Sequence, residues 1–205
     1  MSSYVSEYLG TLLLAVSLGL SAGSLPTGFL LTALIYIGAG VSGAHFNPAV
    51  TIAFWAAEGM PAGRFWGYIG SQFLGALTGG FLLFYLTESA FQIAPPSTST
   101  PLQFSLIETL FTLILALAYL NLFLNEAYRT FPIHGIVIGM AYTGLIATGS
   151  PISGGIFNPA FAAGHSLTAL LTSSGGSSYL TAFLLAPMTG GLAAGYLFTF
   201  LQRES

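Results

Sequence analysis

Cysteine, lysine and aspartate are absent from this chain, whose charge rests on three arginines and six glutamates. Without cysteine there is no disulfide, no thiol nucleophile and no thiolate metal site, and the redox compartment stays open. With so few basic side chains and a formal net charge of −3, no basic patch can follow a phosphate backbone, so nucleic acid is excluded as a partner. The three histidines, His45, His134 and His165, share no ligand spacing with one another or with a carboxylate cluster, so neither a metal nor a cofactor is expected. No nucleophile has a nearby base and no phosphate loop is present, which argues against an enzyme. The N-terminus lacks a basic stretch and runs directly into a long apolar segment, which argues against a cleaved signal peptide.

What fills the sequence is apolar. Hydrophobic residues make up 54% of it and charged residues 4%, with a mean hydropathy of +0.82. A soluble domain carries about 25% charged residues, so this surface faces lipid. A helix needs about 20 apolar residues to cross the hydrocarbon core. Six segments qualify, at about 4–22, 26–42, 64–87, 103–124, 132–149 and 179–201. With six spans, Arg64, Arg129 and Arg203 all fall on one side, which the positive-inside rule makes cytoplasmic, together with both termini.

The sequence repeats itself. At an offset of 111 residues, "SGAHFNPA" from Ser42 meets "SGGIFNPA" from Ser153, and "LTGG" from Leu77 meets "MTGG" from Met188. Upstream, "EYLGTLLLA" from Glu7 meets "ETLFTLILA" from Glu108 at an offset of 101. The expected units are a first repeat over 1–93, a proline-rich linker over 94–101 and a second repeat over 102–205, forming one pore domain over 1–205. Three spans per repeat is an odd number, so the second copy runs inverted through the membrane, and such folds place their site at the midplane.

Between the second and third spans of each repeat lies a segment too short to cross and return. Asn is a strong N-cap and proline suits the first helical turn, so Asn47-Pro48-Ala49 and Asn158-Pro159-Ala160 each read as the start of a half-helix, over about 48–58 and 159–167. The irregular backbone before each cap is tolerated at membrane depth only beside a wet cavity or protein. Inversion then brings two positive helix ends and two Asn amides to one lumen. The backbone carbonyls of Gly43, Ala44 and His45, and of Gly154, Gly155 and Ile156, would supply acceptors above and below. Glu7 and Glu108 lie within apolar spans, where a bare charge costs at least about 2.5 kcal/mol, so each is expected to accept hydrogen bonds from the re-entrant backbone.

Over essentially its whole length the sequence resembles the aquaporins, the major intrinsic protein family. The resemblance rests on "SGAHFNPAVT", the second "NPA", Glu7-x-x-Gly-Thr, Glu108-x-x-x-Thr and "GSQFLGALTGG". It implies an all-α membrane protein with six transmembrane helices and two re-entrant half-helices in an inverted 3+3 repeat. It further implies a homotetramer in the plasma (inner) membrane that passes water or small neutral solutes passively. By resemblance the constriction is Thr27, Ile146, Gly155 and Phe161. Most members place Arg where this chain has Phe161, and a fixed cation at 4 Å repels another by about 4 kcal/mol at an effective dielectric near 20. Its loss predicts looser discrimination among neutral solutes, with ions still excluded by the helix ends. Ala162 and Ser166 lack the acidic and basic side chains usual in glycerol facilitators, which tilts the expectation towards water. A glycerol facilitator is the alternative; a secondary transporter or a closed structural protein stands behind it.

Overall fold

The computed structural model describes residues 1–21, 24–128, 130, 132–172, 175 and 177–203. Eight helices occur among them: α1 (Ser2–Leu20), α2 (Ser24–Ser42), α3 (Pro48–Glu58), α4 (Ala62–Thr87), α5 (Pro101–Leu124), α6 (His134–Ser153), α7 (Pro159–Leu171) and α8 (Leu180–Arg203). Six of these are long and apolar enough to cross a membrane; α3 and α7 are not. The helix starts follow cap chemistry. Thr100 and Gln103 form a reciprocal capping box with Pro101 at the first helical position of α5, while Asn47 and Asn158 cap α3 and α7, each followed by proline.

Two boundaries differ from the sequence reading. Helix α6 continues past 149 to Ser153, with Pro151 inside it. Near a helix end proline forfeits little more than one hydrogen bond, and Ser153 Oγ is held by Glu108 Oε1 at 2.7 Å. Helix α7 extends beyond 167 to Leu171, where Thr172 N–H donates to Thr168 O. Of the arginines used for orientation, Arg64 and Arg203 lie in α4 and α8, on the same face by helix order; Arg129 lies outside the described residues.

Small residues fix how the helices meet. Between spans in lipid there is no hydrophobic drive, so close backbone approach supplies the attraction. Helices α2 and α6 cross at Gly28 and Gly139, an equivalent pair at offset 111. A Cβ on Gly28 would lie 2.6 Å from Gly139 O, and one on Gly139 would lie 2.5 Å from Gly28 O. The "TGG" pairs serve a second crossing. Gly79 abuts the α1 backbone at Leu12 O and Gly190 the α5 backbone at Thr109 O, whereas Gly80 faces Thr168 of α7 and Gly191 faces Ala49 O of α3. Each repeat's third span thus backs its own first span and the other repeat's half-helix. That interlock, inverted about the α2–α6 crossing, brings the N-termini of α3 and α7 together.

Candidate functional site: two capped helix ends around a small cavity

The two short segments before α3 and α7 follow the same irregular path. Gly43, Ala44 and Phe46 have φ of 88°, 53° and 50°, and Gly154, Gly155 and Phe157 have φ of 92°, 71° and 47°. Such values are uncommon for residues with a Cβ, so something must hold Ala44 and the two phenylalanines there. Two carboxyls do. Glu7 Oε1 accepts from Ser42 Oγ at 2.7 Å and His45 N–H at 3.0 Å, and Oε2 accepts from Phe46 N–H at 2.7 Å and Gln72 Nε2 at 2.8 Å. Glu108 Oε1 accepts from Ser153 Oγ at 2.7 Å and Ile156 N–H at 3.1 Å, and Oε2 from Phe157 N–H at 2.7 Å. Both carboxyls are fully buried, and the hydrogen bonds each accepts offset part of the hydration it loses.

With the N–H groups turned to the carboxyls, the carbonyls of Gly43, Ala44, His45, Gly154, Gly155 and Ile156 accept no hydrogen bond from any other described residue. Asn47 Oδ1 accepts from Ala49 N–H at 2.8 Å, and its Nδ2 donates across the repeat boundary to Phe157 O at 2.8 Å. Asn158 mirrors this, accepting from Ala160 N–H at 3.0 Å and donating to Phe46 O at 3.0 Å. The amides are therefore not free groups hanging in a lumen. Each is locked by its own helix and by the opposite segment, and each Nδ2 retains one unused hydrogen.

Between the two caps lies a cavity of about 10 Å³, bounded by Asn47, Asn158, Phe46, His45, Phe161, Val50, Leu14, Leu31, Leu115, Tyr119 and Tyr142. A basin of about 330 Å³ lies towards Arg64, Glu58 and Leu124 and shares His45 with the central cavity. His45 sits there by stacking on Phe54, with ring centroids 4.4 Å apart, and by the 3.1 Å approach of its Nδ1 to Thr51 Oγ1. A second basin of about 390 Å³ is lined by Leu18, Ser21, Ser24, Phe91, Ile146, Ala147, Ser150, Pro151 and Gly154. It shares no lining residue with the centre. On two helices the two linings are one turn apart, Leu14 and Leu18 on α1 and Tyr142 and Ile146 on α6, a step of about 6 Å at 1.5 Å per residue.

The four residues expected at the constriction are thereby spread over more than one level. Ile146 lines the Pro151-side basin, and Gly155 lies against it, since a Cβ there would come 3.3 Å from Ile146 O. Thr27 is buried in a hydroxyl cluster, 3.3 Å from Ser17 Oγ and 3.2 Å from Ser21 Oγ, and lines neither space. Phe161 is wholly buried and reaches the central cavity. Seven further lining residues, Leu14, Leu31, Phe46, Val50, Leu115, Tyr119 and Tyr142, escaped the sequence reading. The repeat offsets carried the signal for most of them, because they pair Leu14 with Leu115, Leu31 with Tyr142 and Val50 with Phe161. Of the other histidines, His134 is half-buried with Nε2 3.2 Å from Tyr128 O, and His165 is buried with Nε2 donating to Ala15 O at 3.2 Å. No group of His, Cys, Asp or Glu suited to a metal occurs among the described residues.

Comparison with known proteins follows the same lines. The profile of the family described as Major intrinsic protein matches residues 8–198. A probable aquaporin AqpM from Archaeoglobus fulgidus is 32% identical over 182 residues, 85% of this chain and 73% of that protein. A glycerol uptake facilitator protein-like 6 from Lactiplantibacillus plantarum is 30% identical with both chains fully covered. The X-ray structure of the aquaglyceroporin from Plasmodium falciparum superposes with a TM-score of 0.82 at 20% identity, covering 97% of this chain and 95% of its own.

Proposed function

Because the chain belongs to the major intrinsic protein family, an integral membrane channel for water or small solutes and not an enzyme, we propose that it is a passive water channel. The observation that carries this reading is the central cavity of about 10 Å³ between the two Asn caps, about the space that one water occupies and too little for a polyol. Two basins flank it, and unbonded carbonyls approach it from both sides as a ladder of acceptors. A water passing through exchanges hydrogen bonds with these carbonyls and with the spare Nδ2 hydrogens of Asn47 and Asn158, while apolar walls hold it loosely enough to leave. Pro48, Ala49, Pro159 and Ala160 shape the two helix starts. Ile146, Gly155 and Phe161 wall the stretch between the centre and the Pro151-side basin, with Thr27 packed behind it.

The converging N-termini of α3 and α7 carry partial positive charge, so cations and hopping protons are excluded although Phe161 supplies no guanidinium. The helix-end mechanism is a general one for such pores. The chain sits in the plasma membrane with Arg64 and both termini on the cytoplasmic side, as the arginine asymmetry supports, and assembles as a tetramer, as the family resemblance supports. A glycerol facilitator is the competing reading, favoured by the fully covering facilitator-like relative.

Stopped-flow light scattering on proteoliposomes separates the two. Fast shrinkage in an impermeant osmolyte with slow re-swelling in glycerol is expected; fast re-swelling would establish the facilitator. Proton leak no greater than that of empty vesicles is expected, and a measurable leak would overturn ion exclusion.

A further inference from the structure

Tyr142 Oη is buried without a hydrogen-bond partner, in a residue only 3% exposed. Among the described residues four other buried side-chain atoms share that state, on Gln72, Thr112, His165 and Ser166, but of these five residues Tyr142 alone lines the central cavity. Buried hydroxyls are nearly always bonded, so this one calls for a partner outside the polypeptide. The pseudo-symmetry sharpens the point. At offset 111 the equivalent of Tyr142 is Leu31, which lines the opposite wall and carries no polar atom. Repeat geometry therefore asks only for an apolar side chain at this position, and the hydroxyl is an addition to one wall.

We propose that Tyr142 sets the specificity of this channel: its hydroxyl and the Asn47 and Asn158 amides form a one-water site at the centre, and its ring, with Phe161, is the barrier to larger solutes. The bonding capacity fits. The two spare Nδ2 hydrogens meet the lone pairs of a water, and one of its hydrogens goes to Tyr142 Oη, giving the three bonds typical of an ordered internal water. Solutes are thus sorted at the midplane, about one turn inward of Ile146, the level at which family resemblance places the constriction. A polyol hydroxyl could enter this site, but its carbon chain would have to displace the Tyr142 and Phe161 rings.

This inference rests on the water-channel reading, and water and glycerol fluxes through proteoliposomes test both. In Tyr142→Phe the ring stays and the hydroxyl goes. Water permeability is expected to fall about fivefold, the rate equivalent of one lost hydrogen bond, with glycerol still excluded. In Tyr142→Leu the wall copies Leu31, and glycerol permeability is expected to rise about tenfold, well above that of Ile146→Ala, because a buried ring volume is released. Circular dichroism and melting in detergent report folding, and the near-isosteric Phe variant answers for the hydroxyl if the Leu variant fails to fold. Unchanged water flux in Tyr142→Phe, or glycerol entry through Ile146→Ala but not Tyr142→Leu, overturns the role of Tyr142 and leaves the water channel standing. A wild-type protein that conducts no water overturns the channel reading and this inference with it.

Discussion

The two re-entrant segments share one backbone path and are held by unequal means. On the first, Glu7 takes four donors, and Gln72 bridges from it to Thr51 Oγ1 at 2.8 Å, next to His45. On the second, Glu108 takes three donors, and the residues equivalent to His45, Thr51 and Gln72 are Ile156, Ala162 and Phe183, all buried and apolar. The conformation therefore requires a carboxyl, a serine and backbone N–H groups, and nothing more. The added polar side chains of the first repeat tie its loop into a wider network on the Arg64 side. In the second repeat packing replaces that network, with Phe183 stacked on Phe104 at 5.3 Å.

Removing the carboxyls should break both loops and produce the largest effects. Glu7→Ala leaves four donors without their acceptor and Glu108→Ala three, at about 1–3 kcal/mol for each orphaned buried donor. Both variants are expected to lose folded protein, read as the monodisperse fraction in gel filtration, with Glu7→Ala the worse. Equal or trivial losses would mean that the carboxyls do not hold the loops.

The comparison sharpens with glutamine. An amide presents one acceptor and one donor face, and each carboxyl oxygen of Glu7 meets two donors. Glu108 Oε2 meets only Phe157 N–H, so Glu108→Gln can turn its NH₂ towards a single donor. Melting temperatures should show Glu7→Gln less stable than Glu108→Gln by about one orphaned donor, about 1–3 kcal/mol; the reverse order would contradict the hydrogen-bond count.

The glycine crossings should differ as well. A methyl at Gly191 meets the Ala49 backbone, which cannot yield, whereas at Gly80 the nearest atom is Thr168 Oγ1 at 2.5 Å, on a side chain that can rotate. Gly191→Ala is expected to lose about 1–3 kcal/mol by overpacking and to impair water flux by tilting α3, with Gly80→Ala milder in both measurements. The smallest effect belongs to Gln72→Leu. Glu7 keeps three of its donors, and the stability change in a thermal melt should stay near the net worth of one hydrogen bond, about 1 kcal/mol. A collapse comparable to Glu7→Ala would show that the polar network is indispensable to the first loop.

Much of this was legible in the residues. Six apolar runs, a repeat with an odd number of spans and two Asn-Pro-Ala boxes suffice for the architecture, because lipid admits only internally bonded helices and cap chemistry is local. The helix ends were less legible. Pro151 reads as a stop, yet α6 runs past it to Ser153, because a contact 45 residues distant, with Glu108, outweighs one lost backbone bond. The lining of the centre was least legible. Leu115 and Tyr142 belong to apolar stretches in which no local signal distinguishes a wall from a core position.

The sequence alone determined the number of crossings, their inversion, the two helix starts and the pair of buried acids, since each follows from composition, period or short-range chemistry. Only the tertiary structure decided that the Asn amides bond across to Phe157 and Phe46, that Thr27 turns to Ser17 and Ser21, and that Tyr142 joins the lining of the centre with its hydroxyl unpartnered. Those outcomes depend on how two separate helices rotate and approach, through Gly28 against Gly139 and Gly191 against Ala49, and such distances are set by packing between segments remote in the chain.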